Sequence, residues 1–168
     1  MGAATGGLPL ASAWMRVLAR FLDAMIVGLA FGYIFAVIVL SGDDDAGVAG
    51  FGTDTSFGRA YLYALLLAAV GFGWDAVCTR MFGGTPMKLA LGMKVVQQNG
   101  ADVEWEHAIR RWALPGAFAL LPPIVGINVL VGLAQIVIVI VSLVFIFTKP
   151  LRTALWDQFA DTMVVTTR

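Results

Sequence analysis

Residues 16–40 read Arg16-Val-Leu-Ala-Arg20-Phe-Leu-Asp23 and then AMIVGLAFGYIFAVIVL. The second part is a run of 17 residues without a charge. With the turns before it, the segment reaches the ~20 residues that carry an α-helix across hydrocarbon. The first part sets two arginines and an aspartate at the mouth of that helix. A charged side chain at bilayer depth costs about 3 kcal/mol or more, so partners must offset it, and those partners are the first clue to function. Arg16 and Asp23 lie two helical turns apart on one face, about 10 Å at 1.5 Å per residue. Arg20 and Asp23 are spaced i,i+3, close enough to pair directly.

The rest of the chain has the same character. Of its 168 residues 60% are hydrophobic and 13% charged, with a mean hydropathy of +0.86. A soluble domain is about half apolar and a quarter charged, so the composition specifies an integral membrane protein whose first partner is the lipid bilayer. Net charge is zero, which leaves no global field to attract nucleic acid. Cys78 is the single cysteine, which excludes an intramolecular disulfide and a cysteine-based metal centre. No A-x-A cleavage pattern follows the first apolar run, so it is expected to be a retained span.

Residues 1–13 form a Gly/Ala-rich tail expected to be disordered, and 14–168 a single membrane domain. Spans are expected at about 16–40, 59–81, 110–121 and 127–147. Between the first two lies an acidic, Gly-rich loop with Asp43, Asp44, Asp45 and Asp54. Arg16, Arg20, Arg80, Lys88, Lys94, Arg110 and Arg111 fall on one side and only Arg59 on the other. The positive-inside rule therefore places the N-terminus in the cytoplasm and the acidic loop outside. Pro115, Pro122 and Pro123 interrupt the apolar stretch 112–147. It is read either as one kinked span or as a short hairpin, and Lys149 and Arg152 favour the hairpin with a cytoplasmic C-terminus.

Around Asn99-Gly100, residues 92–105 alternate like a β-hairpin, and 162–167 read as a further strand. The expected fold is thus an all-α membrane protein of about four segments, two full spans plus a Pro-broken hairpin, with a small cytoplasmic β element.

Asp75 lies near the cytoplasmic end of the second span, at a depth comparable to that of Asp23. The candidate site is Arg16, Asp23 and Asp75, with supporting charges from Arg20, Arg80 and Asp157. Arg20 and Arg80 are expected to snorkel, and Asp157 to pair with Arg152 or with the cytoplasmic basic stretch. For the two span aspartates the residues alone leave two readings open: a structural ion pair, or an ion or proton site.

Arg16-x-x-Ala19-x-x-x-Asp23 in the first span and Asp75 in the second resemble the RDD family of small bacterial membrane proteins. The stretch GGTPMKLALGMKVV at 83–96 is similar to that family's conserved segment after the second span, and LWDQFADTMVV at 155–165 to its C-terminal motif. Met87 stands where the family usually has glycine, Trp156 where it has histidine, and Asp161 where it has glycine. The resemblance implies a protein of the bacterial cytoplasmic membrane, in a family sometimes proposed to transport small ions.

Two functions follow as expectations. One is a transport component for a monovalent cation or proton at the Arg/Asp/Asp site, working as a homo-oligomer because four segments enclose little volume. The other is a non-catalytic accessory or assembly subunit of a larger membrane complex. Neither needs a cofactor or a metal. GGTPMK lacks the G-K-[ST] ending of a phosphate loop, and no Ser or Cys is matched with the lone His107 as nucleophile and base, so no enzyme is expected.

Overall fold

The computed structural model describes residues 9–40, 57–121 and 125–167. The acidic loop and the Pro122-Pro123 turn lie outside the described residues. The first helix, α1, runs over 13–40 as Ala13–Met25, a π-helical stretch Ile26–Gly32 and Tyr33–Leu40. Helix α2 is Phe57–Phe82, with its own π-helical stretch at Gly73–Val77. Then follow α3 (Pro86–Ala90), β1 (Met93–Gln97), α4 (Trp105–Gly116) with a 3-10 turn Ala117–Leu120, α5 (Val125–Thr148), α6 (Leu155–Phe159) and β2 (Thr162–Thr166).

Among the described residues three helices are long and apolar enough to cross a membrane: Ala13–Val39, Phe57–Phe82 and Val129–Thr148. At 27 residues to Val39, α1 is about 40 Å long against a hydrocarbon core of ~30 Å. The excess gives its charged first turns room at head-group depth, which lowers the cost posed by Arg16, Arg20 and Asp23. Only 11%, 22% and 11% of the three apolar windows are buried by protein, so their surfaces are left for lipid.

The segment expected at 127–147 is a helix, α5, of 24 residues, long enough for a full span and not merely one arm of a short hairpin. The first half of that hairpin, α4 and the 3-10 turn, is amphipathic and is not among the three candidate spans. Pro115 lies inside the last turn of α4, where its missing N–H gives up a helix bond, and the α-helix ends one residue later. The Pro115 carbonyl, among the last of the helix and without a partner within it, accepts from Gln135 Nε2 at 2.6 Å. Tyr61, near the start of α2, donates to the Leu120 carbonyl at 3.0 Å. Residues 105–120 thus run antiparallel to α2 from the basic end towards the other.

The fully packed core lies at the basic end, not between the spans. β1 and β2 are antiparallel, in register from Met93 opposite Thr166 to Gln97 opposite Thr162. Met93, Val95 and Val164 are buried together with Ala19 of α1, Ala76 of α2 and Ala108 of α4, while Val96, Met163 and Val165 form a second buried cluster with Leu10. Small residues at the three helix positions let the sheet approach the bundle.

Two expectations about this element change. The Asn99-Gly100 turn yields a single bridge, Val96 to Asp102, instead of a hairpin: Val96 already pairs with Met163 on its β2 side, so the returning residues lie on the opposite edge of β1, and they leave it for α4 at Trp105. The N-terminal tail is ordered from Pro9: Leu10 bridges Val165 on the other edge of β2, and Ala11 N–H donates to Val164 carbonyl at 3.2 Å.

Gly83 ends α2 with φ +81°, a left-handed cap that costs glycine least. Its carbonyl then accepts from Val95 N–H at 2.6 Å. Asp161 turns the chain from α6 into β2 with φ +51°. The family's usual glycine suits that backbone, and aspartate is among the few other residues that tolerate it.

A buried charge network at the basic end

Arg16, Asp23 and Asp75 are all buried, at 5%, 2% and 5% exposure, but they do not form one cluster. Among the described residues no arginine pairs with Asp23. Its Oδ1 accepts from Trp74 Nε1 at 2.7 Å and from Met87 N–H at 3.3 Å, and its Oδ2 from the Thr85 hydroxyl. The expected Arg20–Asp23 pair is therefore corrected. Arg20 crosses to α2 and bonds Asp75 Oδ2 at 3.2 Å, while Asp23 faces the turn between α2 and α3. Neutral donors hold this carboxylate, and charge-assisted hydrogen bonds of this kind are about twice as strong as neutral ones.

Asp75 sits among three cations: Arg20, Lys88 at 3.9 Å and Arg111 Nε at 3.7 Å. Arg111 reaches on to Asp157, which it pairs through Nη1, and donates to Thr162 Oγ1 at 3.2 Å. Asp157 in turn faces Arg16 Nη1 at 3.9 Å and caps α6 by accepting from Ala154 N–H at 3.1 Å. Arg16 donates to the carbonyls of Arg152 and Val164. The result is an alternating chain, Arg20–Asp75–Arg111–Asp157–Arg16, with Lys88 as a branch. It ties α1, α2, α3, α4 and α6 together beside the sheet.

Several sequence expectations are settled by this arrangement. Asp157 pairs with the basic stretch, through Arg111, and with Arg16; Arg152 offers Arg16 only its carbonyl oxygen. Arg80 is exposed and stands apart from the network. Arg20 is partly exposed and its guanidinium lies 5.3 Å from the Trp156 ring centre, a cation–π contact at the position where histidine is usual. Two members were missed by sequence reasoning, Lys88 and Arg111. Lys88 stands in the GGTPMK segment, which was a usable signal. Arg110 and Arg111 are adjacent on an amphipathic helix, and nothing local says which one turns inward.

Lys88 lies outside the candidate spans, and burial, reinforced by the Arg111 charge, lowers its pKa from 10.5 to about 8 despite Asp75. The π-helical stretch Gly73–Val77 carries both Trp74 and Asp75, so a widened turn, a device frequent at functional sites, presents consecutive residues to Asp23 and to the cations. Asp23 and Asp75 both line a cavity of about 190 Å3 between α1, α2 and α4. A Cβ added at Gly71 would meet Trp112 Nε1 at 3.7 Å, so α4 packs closely on α2 there.

Long apolar helices and a capping sheet fastened by buried charges define the class: a helical membrane protein. The RDD family matches residues 10–161, and the chain belongs to that family. No curated protein and no solved structure matches it.

Proposed function

We propose that this protein is a non-catalytic component of the bacterial cytoplasmic membrane, with four membrane segments and both termini in the cytoplasm. In this reading the Arg/Asp/Asp residues clamp a cytoplasmic cap onto the spans, and the cap is the part that serves a larger membrane assembly. One observation carries it: the two span carboxylates are already engaged. Asp23 accepts three hydrogen bonds from Trp74, Thr85 and Met87, and Asp75 has Arg20, Lys88 and Arg111 within 4 Å. Asp75 Oδ1 accepts no hydrogen bond, but Lys88 and Arg111 lie within 4 Å of it, so a further cation there meets like charge.

The second reading, a small-cation or proton path, is favoured by the 190 Å3 cavity shared by Asp23 and Asp75. Flux measurements in liposomes separate the two. The clamp reading expects no Na+, K+ or proton flux from wild-type protein in either gradient direction, together with loss of folded Asp75→Asn. Flux that disappears in a folded Asp23→Asn or Asp75→Asn variant would overturn it in favour of transport.

A further inference from the structure

A second, larger cavity of about 510 Å3 lies between α1, α4, α5 and α6 at the basic end. This is within the roughly 300–1,000 Å3 of ordinary ligand sites. Its lining is of two chemical kinds. Arg16, Arg20, Lys88 and Arg111, with Asp157 as the one carboxylate, form the floor; Phe21, Val139, Leu143 and Ile146 belong to the apolar wall. Phe21, Val139 and Leu143 are 59%, 47% and 37% exposed. They sit on the outward surfaces of α1 and α5, where lipid chains would lie, so the rim faces the membrane.

The floor has donors to spare. Lys88 is 4% exposed, and its Nζ has no hydrogen-bond acceptor. The Nε groups of Arg16 and Arg111 also lack one; Asp75 Oδ1, itself without a hydrogen bond, lies 3.9 Å from Lys88 Nζ and 3.7 Å from Arg111 Nε, beyond hydrogen-bond reach of either. Buried donors in this condition are rare and costly. The network sets four cations, Arg16, Arg20, Lys88 and Arg111, against two carboxylates, Asp75 and Asp157, and even with Asp23, held apart by neutral donors, counted beside it one positive charge is in surplus. A phosphodiester supplies one negative charge and several acceptor oxygens, and arginine and lysine are the residues that hold phosphate.

We propose that this cavity binds the phosphodiester head group of an anionic phospholipid, entered sideways from the membrane between α1 and α5. The head group lies against Lys88, Arg111 and Arg16, and an acyl chain follows the wall formed by Val139 and Leu143. The apolar rim favours a lipid over a soluble phosphate ester, which would have no use for it. The site lies beyond the clamp role of the network and does not depend on it.

Trp156 lines the cavity and is the reporter. Wild-type protein and Trp156→Phe are reconstituted in phosphatidylcholine vesicles containing brominated phosphatidylglycerol or brominated phosphatidylcholine. The difference in quenching between the two proteins isolates Trp156. The expected result is saturable quenching at low mole fraction of the anionic lipid and only proportional quenching by the neutral one. Lys88→Gln should raise the half-saturating fraction roughly fivefold, the effect of one lysine near a charged head group. Val139→Phe, which narrows the wall without touching a charge, should reduce the saturable part and decides the matter if Lys88→Gln does not fold. Equal quenching by both lipids would overturn the proposal, as would indifference to Val139→Phe. Displacement of the brominated lipid by millimolar inorganic phosphate would overturn the lipid assignment and leave a soluble anion as ligand.

Discussion

Arg110 and Arg111 are neighbours in sequence, and exchanging each for methionine tests the charge network most directly. Arg111 has a side chain 2% exposed, pairs with Asp157 and Asp75, and donates to Thr162. Removing one partner of a buried ion pair costs about 3–5 kcal/mol, because it strands the other charge. Arg16 at 3.9 Å from Asp157, and Arg20 and Lys88 beside Asp75, remain to share the load, so the lower end, ~3 kcal/mol, is expected for Arg111→Met. Arg110 pairs with Glu106 one turn away, with both side chains about half exposed or more, and such helix pairs contribute about 0.3–0.5 kcal/mol. Urea or SDS titration of purified protein in detergent, followed by circular dichroism, measures both. Arg111→Met combined with Asp157→Asn should lose less than the sum of the single changes, by about 1 kcal/mol or more for groups in contact. Equal losses at 110 and 111, or strict additivity with Asp157→Asn, would refute the network as the clamp.

The protonation of Lys88 gives a pH test with a definite sign. Its pKa of about 8 in the fold is below the ordinary 10.5, so between those values the unfolded chain binds the extra proton and stability rises with pH. Below pH 8 both states are charged and the penalty is fully present. Asp75, Arg111, Arg20 and Asp157 face the amine from four other helices, and the expected gain of wild type over Lys88→Met from pH 8 to 10.5 is ~3 kcal/mol at most; a flat difference would refute it. Gly116 gives a packing test. A methyl group there would collide with the Trp112 ring, which is held edge-on by Phe72 at 5.2 Å. Gly116→Ala should cost about 1–3 kcal/mol, while Gly132→Ala, where the methyl meets open space, should be neutral or mildly stabilising in the same thermal unfolding measurement.

Much of this protein is legible without tertiary information because hydrophobic length is a local property. Twenty apolar residues must be helical in lipid, where every backbone group needs an internal partner, so α1 and α2 are evident from composition and spacing. The importance of Arg16, Asp23 and Asp75 is equally legible, since charge beside an apolar run is costly wherever the chain folds. The partners of those charges are not. Spacing along one helix offered Arg20 to Asp23, yet Arg20 bonds Asp75 and Asp23 is held by Trp74, Thr85 and Met87. The choice belongs to the approach of α2 and α3, whose donors arrive from more than 50 residues away.

The same holds for the strands. Asn99-Gly100 is a sound local turn signal, but the residues after it make one bridge and leave for α4 at Trp105, while the lasting partner of β1 is the distant β2, paired over five residues on the opposite edge and buried at Val164 and Val165. Arg110 and Arg111 make the division plainest. Their charge, and the end of the molecule they occupy, are written in the sequence. Only the docking of α4 against α6 decides that Arg111 faces two buried carboxylates while Arg110 stays in solvent, because a helix sets which residues share a face but its neighbours set which face is buried.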